Sequence, residues 1–376
     1  MEINWKKEAW NFIEEKTILN NDRIGVNFPH VSENKHYKLE NEQWWTAGFW
    51  PGMLWQVYLK NKNEKLKITA EKCEIKMEHL LSDTEIIDHD LGFMWILTSL
   101  ANYKITGNKE SRRRALLAAN LLMGRFNIKG NYIRAWNTWK GNKDNTGVVI
   151  IDCMMNLPLL YWASEETGDP RFKHVAEKNG EMVLENFIRA DGSVQHMVIF
   201  DSETGEVIEK AGGQGFDANS AWARGCAWAI YGLTLSYKYT KNNEFLEAAK
   251  KTAHYFIANM KDDKCPVWDF RVPEDGEIKY KYPDSSAGAI AACGLLLLSK
   301  YVTRFESSLY MEAGENMLKN LYYECATNDD IEEEGLIKHA TGHFPEQKNL
   351  DVPIIYGDYF FTEGISMLNG EKMLFW

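Results

Sequence analysis

Apolar and polar positions along the chain alternate between two kinds of segment. The first kind is apolar almost all round, as in "LGFMWILTSLANYKI", "DCMMNLPLLYWASEE" and "GCAWAIYGLTLSYKY". A short polar turn follows, and then an amphipathic segment with charged positions. The turns begin at Thr106 ("TGNKESRRRALLAANLL"), Thr167 ("TGDPRFKHVAEKNG") and Thr240 ("TKNNEFLEAAKKTAHYF"). The first kind reads as a buried helix and the second as a surface helix. In the middle turn, Asp169 suits an N-cap and Pro170 the first helical position. Helix, short turn, helix therefore recurs roughly every 60–70 residues.

The same pattern occurs near both ends, in "FWPGMLWQVYLKNKNEKLKITAEKC" and in "AGAIAACGLLLLSKYVTRFESSLYMEAGENMLKNLY". With the amphipathic start "MEINWKKEAWNFIEEK", the chain predicts about a dozen helices in hairpins. Buried helices paired with surface helices predict an all-α fold, a closed double ring or (α/α)6 barrel. An open solenoid of helical pairs is the alternative. No Ser-, Gly- or Pro-rich linker interrupts the chain, which predicts one domain over 1–376. Strand-like stretches such as "SVQHMVIFD" (193–201) read as short hairpins in loops.

In such a barrel the starts of the apolar helices converge on one mouth, so their odd residues are candidates. Trp44, Trp45 and Trp50 begin one helix; Asp88, His89 and Asp90 begin the next. Trp136 and Trp139 precede Asp152, and "SVQHMV" supplies His196. "GGQGFDANSAWARGCAWAIYG" supplies Gln214, Trp222, Arg224 and Trp228. Trp mixed with polar and titratable groups is what a sugar site needs: rings for the apolar sugar face, hydrogen bonders for hydroxyls, a carboxyl for proton transfer. Each Trp also fits a core position, and either Asp88 or Asp90 fits an N-cap.

Asp152 is the sharpest candidate. It is the one charged residue in "GVVIIDCMMNLPLLYWA" (147–163) and reads as a carboxylate carried on an apolar helix. Burial there is costly unless the group is paired or protonated, and it raises the pKa toward that of a general acid. The structural alternative is an ion pair with Arg224, which itself needs an anionic partner.

Composition narrows the function. The chain holds 14 Trp and 17 Tyr in 376 residues, an aromatic content suited to stacking on flat ligands such as sugars. A net charge of −11 disfavours nucleic acid as a partner. Six cysteines without CxxC spacing read as buried free thiols. No apolar leader or membrane-length run is present, which predicts a cytoplasmic chain with no membrane partner. Spacings for metal, nucleotide or Ser-nucleophile motifs are absent.

At these residues the chain resembles the unsaturated glucuronyl hydrolases, glycoside hydrolase family 88. The resemblance rests on "NFPHV", "WWTAGFWPGMLW", "HDLGF", "IIDCMMNLPLLYWASEETGDPRF", "WARGCAWAIYG", "YKYPDSSAGAIAACGLL" and "IYGDYFF", spread over nearly the whole chain. It implies an (α/α)6 barrel that removes a 4,5-unsaturated uronic acid from the non-reducing end of lyase-made glycosaminoglycan oligosaccharides, by hydrating the vinyl ether. It implies no cofactor and no metal. Asp152 would be the general acid/base, with Asp90 the second catalytic aspartate. Trp45, His89, Trp136, His196, Gln214, Trp222, Arg224 and Trp228 match substrate-pocket positions. A pocket Tyr of the family is replaced by Gly342. Where a sulfate-favouring Ser-x-x-Ser-x-Lys loop would stand, Lys348 is kept but Glu346 replaces a Ser. A related hydrolase acting on unsaturated rhamnogalacturonyl fragments of pectin, and a non-catalytic sugar-binding barrel, are the alternatives. A monomer or a homodimer is expected.

Overall fold

The computed structural model describes residues 4–138, 144–260, 265–273 and 282–376. Helix α1 (Trp5–Ile24) precedes the hairpin β1 (Phe28–Glu33) and β2 (His36–Glu40). Then come α2 (Phe49–Asn61) and α3 (Glu64–Met77). A continuous rod follows: α4 (Leu91–Trp95), a π-helical turn (Ile96–Leu100) and α5 (Ala101–Thr106), trailed by α6 (Lys109–Met123). The short strands β3 (Phe126–Asn127), β4 (Tyr132–Ile133) and β5 (Val148–Ile150) lead to α7 (Cys153–Thr167) and α8 (Pro170–Asn186). Strands β6 (Met197–Phe200) and β7 (Val207–Ala211) precede α9 (Ala223–Thr240), α10 (Asn243–Asn259), α11 (Ser285–Leu298), α12 (Arg304–Cys325) and α13 (Ile355–Leu368).

Counting α4–α5 as one, twelve helical rods alternate between two layers among the described residues. The inner rods α2, α4–α5, α7, α9, α11 and α13 each pack on the next, and α13 closes the ring on α2. The outer helices α3, α6, α8, α10 and α12 each follow an inner partner, and α1 lies against α13. The fold is an (α/α)6 barrel. Every residue of α11 is buried, whereas α10 buries only one face, as the hydropathy pattern requires.

The two ends of the barrel are built differently. Four of the five inner helices that lead into an outer one do so through two residues: Lys62–Asn63, Gly107–Asn108, Gly168–Asp169 and Lys241–Asn242. The first residue of each pair is left-handed and ends one helix. The second caps the next, its side chain accepting a backbone N–H. Outer helices return to inner ones through long segments that carry the seven strands of the described residues. The far end is filled by Phe375 and Trp376, both buried. Trp376 stacks on Phe360 at 5.8 Å and donates its indole N–H to Glu363 at 2.9 Å.

The helix expected from "DCMMNLPLLYWASEE" forms, and the apolar residues before it are not part of it. Val148–Ile150 is a strand paired with Met197–Ile199, and the helix starts at Cys153. Three consecutive β-branched residues favour the strand. Asp152 therefore stands at a strand-to-helix junction. "SVQHMVIFD" forms the partner strand, as expected. Five of the six free cysteines are buried and Cys265 is partly so. Among the described residues no helix is long and apolar enough to cross a membrane.

Candidate active site

All six inner rods run the same way, with N-termini at the end that carries the long segments. Asp90 immediately precedes α4, Asp152 precedes α7 and Asp284 precedes α11. Arg224 and Tyr356 are the second residues of α9 and α13. Trp45 opens the 3-10 turn that feeds α2. A cleft of about 1050 Å³ opens here, lined among others by Trp44, Trp45, Asp88, Asp90, Trp136, Asp152, His196, Gln214, Arg224 and Tyr356.

Asp152 is 8% exposed and its Oδ2 has no hydrogen-bond partner within the chain. Burial raises its carboxyl from 3.8 to about 6, against the pull of the Arg224 charge. His196 Nε2 lies 3.8 Å from that oxygen. His196 Nδ1 accepts the Gln214 backbone N–H at 2.9 Å, so a neutral ring carries its proton on Nε2, facing Asp152. Burial lowers the His196 pKa to about 3, which keeps the ring neutral.

Asp90, also buried, lines the same cleft. Its backbone N–H donates to Asp88 Oδ1 at 2.9 Å. Burial first, then the charges of Asp88 and Asp152, raise the Asp90 carboxyl well above its ordinary range. So Asp88 orders the turn that presents Asp90. Asn156, one turn into α7, accepts the Phe93 N–H at 2.9 Å and ties the starts of α4 and α7 together. Gly92 permits this approach, since a Cβ there would lie 2.3 Å from the Asn156 Cα.

Arg224 answers the question of its partner. Nη1 donates to Asp284 Oδ2 at 2.8 Å and to the Thr341 carbonyl at 2.6 Å. Nη2 donates to Gln214 Oε1 at 2.9 Å and to the Gly342 carbonyl at 2.7 Å. The guanidinium also lies over the rings of Trp222 and Tyr356. Asp284 is fully buried, so this is an ion pair in the barrel wall. The alternative in which Arg224 pairs with Asp152 is thereby displaced.

Four sequence candidates do not line the cleft; the first, Trp50, is buried and donates its indole N–H to the Gly25 carbonyl at 3.1 Å. Trp228 is fully buried between Phe93 and Phe360, because its position one turn deeper in α9 faces the core. Trp222 is 3% exposed and lies under Arg224, edge-on to His196 at 4.5 Å. His89 is fully buried, with Nε2 3.4 Å from Asp90 Oδ1. Burial lowers the His89 pKa to about 3. Trp222 and His89 therefore support residues that reach the cleft. Trp139 lies outside the described residues. Trp45, Trp136, His196, Gln214 and Arg224 come together at the cleft with Asp90 and Asp152. Gly342 lines it too, and at the rim Lys348 pairs with Glu346 at 2.6 Å.

Sequence reasoning missed Tyr356 and Asp284, and also Arg125. Arg125 donates to the carbonyls of Ile87, Arg134 and Ala135 and to Asn137 Oδ1, at 2.9 to 3.1 Å. It joins the segment bearing Asp90 to the one bearing Trp136. An Arg just past an amphipathic helix gives no sign of this. For Asp284, the "PDSS" cap before a wholly apolar helix was the available signal.

Comparison with known proteins agrees with this architecture. The unsaturated glucuronyl hydrolase of Bacillus sp. (strain GL1) is 36% identical over 364 residues, covering 96% of each chain. Its crystal structure, described as that of an enzyme responsible for the degradation of glycosaminoglycan, superposes with a TM-score of 0.92 at 35% identity over 97% of each chain. The unsaturated chondroitin disaccharide hydrolase of Streptococcus agalactiae serotype III (strain NEM316) is 33% identical over 374 residues, 98% of this chain and 93% of that one. The family model of Glycosyl Hydrolase Family 88 matches residues 21–349, and the chain belongs to that family.

Proposed function

We propose that the chain is an unsaturated glucuronyl hydrolase, removing the 4,5-unsaturated uronic acid from the non-reducing end of lyase-made glycosaminoglycan oligosaccharides. The observation that carries this reading is Asp152: a buried carboxyl in a sugar-sized cleft, with one oxygen free of hydrogen bonds and a pKa raised to about 6. Such a group is available in both protonation states near neutral pH. Its protonated form gives a proton to C4 of the vinyl ether. Positive charge then develops at C5, shared with the ring oxygen. Water adds to C5 while the Asp152 carboxylate takes a proton from it, which restores the acid. The resulting hemiketal opens to a C5 ketone, and the hemiacetal left at C1 expels the aglycone hydroxyl. One water is consumed, and no acyl- or glycosyl-enzyme forms.

Asp90 supports this cycle from across the cleft and binds sugar hydroxyls. His196, neutral with its proton on Nε2, orients Asp152 or the attacking water. Trp45 and Trp136 stack on sugar faces. The uronate is accommodated by Arg224 and by the six inner-helix N-termini, whose dipoles favour an anion despite the net charge of −11. The reading takes 1–376 as one catalytic domain that works in the cytoplasm as a monomer or homodimer.

The test is incubation with lyase-made chondroitin, hyaluronan and heparin disaccharides, followed by ultraviolet absorbance of the conjugated enol acid. Loss of absorbance with at least one substrate is expected. Unchanged absorbance with all of them would sink the reading, and turnover of pectin-derived fragments alone would redirect it to rhamnogalacturonyl substrates.

A further inference from the structure

A second cavity, of about 540 Å³, opens behind the wall that carries Asp88 and Asp90. It shares no lining residue with the cleft. The wall is one chain thick: Thr84 and Ile87 line this cavity, whereas Ile86, Asp88 and Asp90 line the cleft. Arg134 and Trp136 divide between the two cavities in the same manner.

Two arginines stand side by side in the second cavity. The Arg125 carbonyl accepts the Arg134 backbone N–H at 3.1 Å, and the Arg134 carbonyl accepts the Arg125 Nε–H at 3.0 Å. Both guanidinium groups donate to Asn137 Oδ1, at 2.9 and 3.0 Å. Among the described residues their other side-chain bonds go to backbone carbonyls, and neither holds a carboxylate. By contrast Arg112, Arg113 and Arg114, earlier on α6, each pair with a glutamate. Two cations held together without a counter-charge repel each other, and an anion beside them removes that cost. Burial, opposed by the Asp88 charge and helped by that of Arg134, lowers the Arg125 pKa to about 10. Arg134 is half-buried and commits little of its planar fork of N–H donors within the chain.

The rest of the lining suits a sugar. Thr84, Asn120 and Ser202 supply hydroxyl and amide groups, and Leu121 and Phe126 supply an apolar face. Glu203, exposed in the turn between β6 and β7, is the only acid among the lining residues. The volume lies within the roughly 300–1,000 Å³ usual for small-ligand sites and far exceeds what an inorganic oxyanion fills.

We propose that this cavity is a second ligand site, separate from the cleft, for a hexose bearing one carboxylate or phosphate, with Arg134 gripping the anion and Arg125 supplying fixed positive charge behind it. Either anionic group matches the guanidinium fork. A sugar bound there bears on the back of the turn that presents Asp90, because Arg125 also donates to the Ile87 carbonyl at 3.1 Å.

The test is calorimetric titration of the full chain with glucuronate, glucose 6-phosphate, inorganic phosphate and glucose. At least one of the two anionic sugars should bind, and glucose should bind more weakly by roughly tenfold or more, the worth of a charge-assisted hydrogen bond. Which of the two binds tells a sugar acid from a sugar phosphate. Arg134→Gln should weaken that binding by roughly tenfold, while kcat and KM on the unsaturated disaccharide, measured without added anion, stay within about twofold. Asn120→Trp, a change on the exposed side of α6, should fill the cavity and block binding, and serves if Arg134→Gln disturbs its own segment. Failure of both anionic sugars to bind, or equal affinity in the wild type and both variants, would overturn the site. So would inorganic phosphate binding as tightly as glucose 6-phosphate. Displacement of the bound anion by unsaturated disaccharide in Asp152→Asn would place it in the cleft and overturn the proposal as well. The titrations need no turnover, so they decide the site whatever the activity of the chain.

Discussion

The two ends of the barrel do opposite work with the same six inner helices. At one end four turns are two residues long, and every cap is satisfied by its own neighbours. At the other end the connections are long, and they gather carboxyls, rings and a histidine with hydrogen-bonding groups left open. The first end is economical and stabilising. The second carries buried groups that the fold tolerates because the site uses them. A substitution at the mouth should therefore cost activity and can gain stability, whereas one at the turns should cost stability alone.

The largest effect expected is at Asp152. Asp152→Asn should lower kcat by about 10²- to 10⁴-fold, the range for a lost general acid/base, while far-ultraviolet circular dichroism stays unchanged. Near-normal turnover would remove Asp152 from its role. Next is the wall ion pair. Asp284→Ala strands the Arg224 charge and uncaps α11, and should cost about 3–5 kcal/mol, read as a fall in the denaturant midpoint.

The same Asp152→Asn change should stabilise the protein at alkaline pH. Folding raises this carboxyl from 3.8 to about 6, so the folded state holds the proton more tightly than the unfolded one. The stability this confers is complete below pH 3.8 and is lost as pH rises through about 6, a difference of about 3 kcal/mol. The asparagine amide cannot ionise, so the variant should melt higher than the wild type at pH 8 and equally at pH 4. Equal melting at both would mean that the carboxyl is not strained by burial. For the wild-type enzyme, kcat/KM should fall on the alkaline side with an apparent pKa near 6, because the free enzyme needs the protonated acid. The smallest effect belongs to the other end. Asn108→Ala removes the cap of α6 and should cost about 1 kcal/mol, with kcat and KM unmoved.

That contrast also explains what was legible in the sequence. The turn end is local, since "TGN", "TGD" and "TKN" each place a left-handed residue and a cap within three positions. Helix pairing and the inner and outer layers follow from that repeat. The mouth is long-range. Arg224 meets Asp284 across 60 residues and the Thr341 carbonyl across 117, separations that no local pattern encodes. Depth is equally hidden: Trp222, Arg224 and Trp228 share one helix start, yet only Arg224 reaches the cleft. The β-branched run before Asp152 was the one local clue passed over: it forms a strand paired with Met197–Ile199, which leads the chain into the helix start already expected at Asp152.

Trp376 gives the barrel a dead end. With that indole stacked on Phe360 and bonded to Glu363, a sugar chain has no through-route along the axis. Whatever enters must do so tip first and must back out by the same door. For the proposed reaction this sets an itinerary. Only a chain terminus can be trimmed, one ring is removed at each visit, and the shortened sugar must depart before the keto acid behind it can escape.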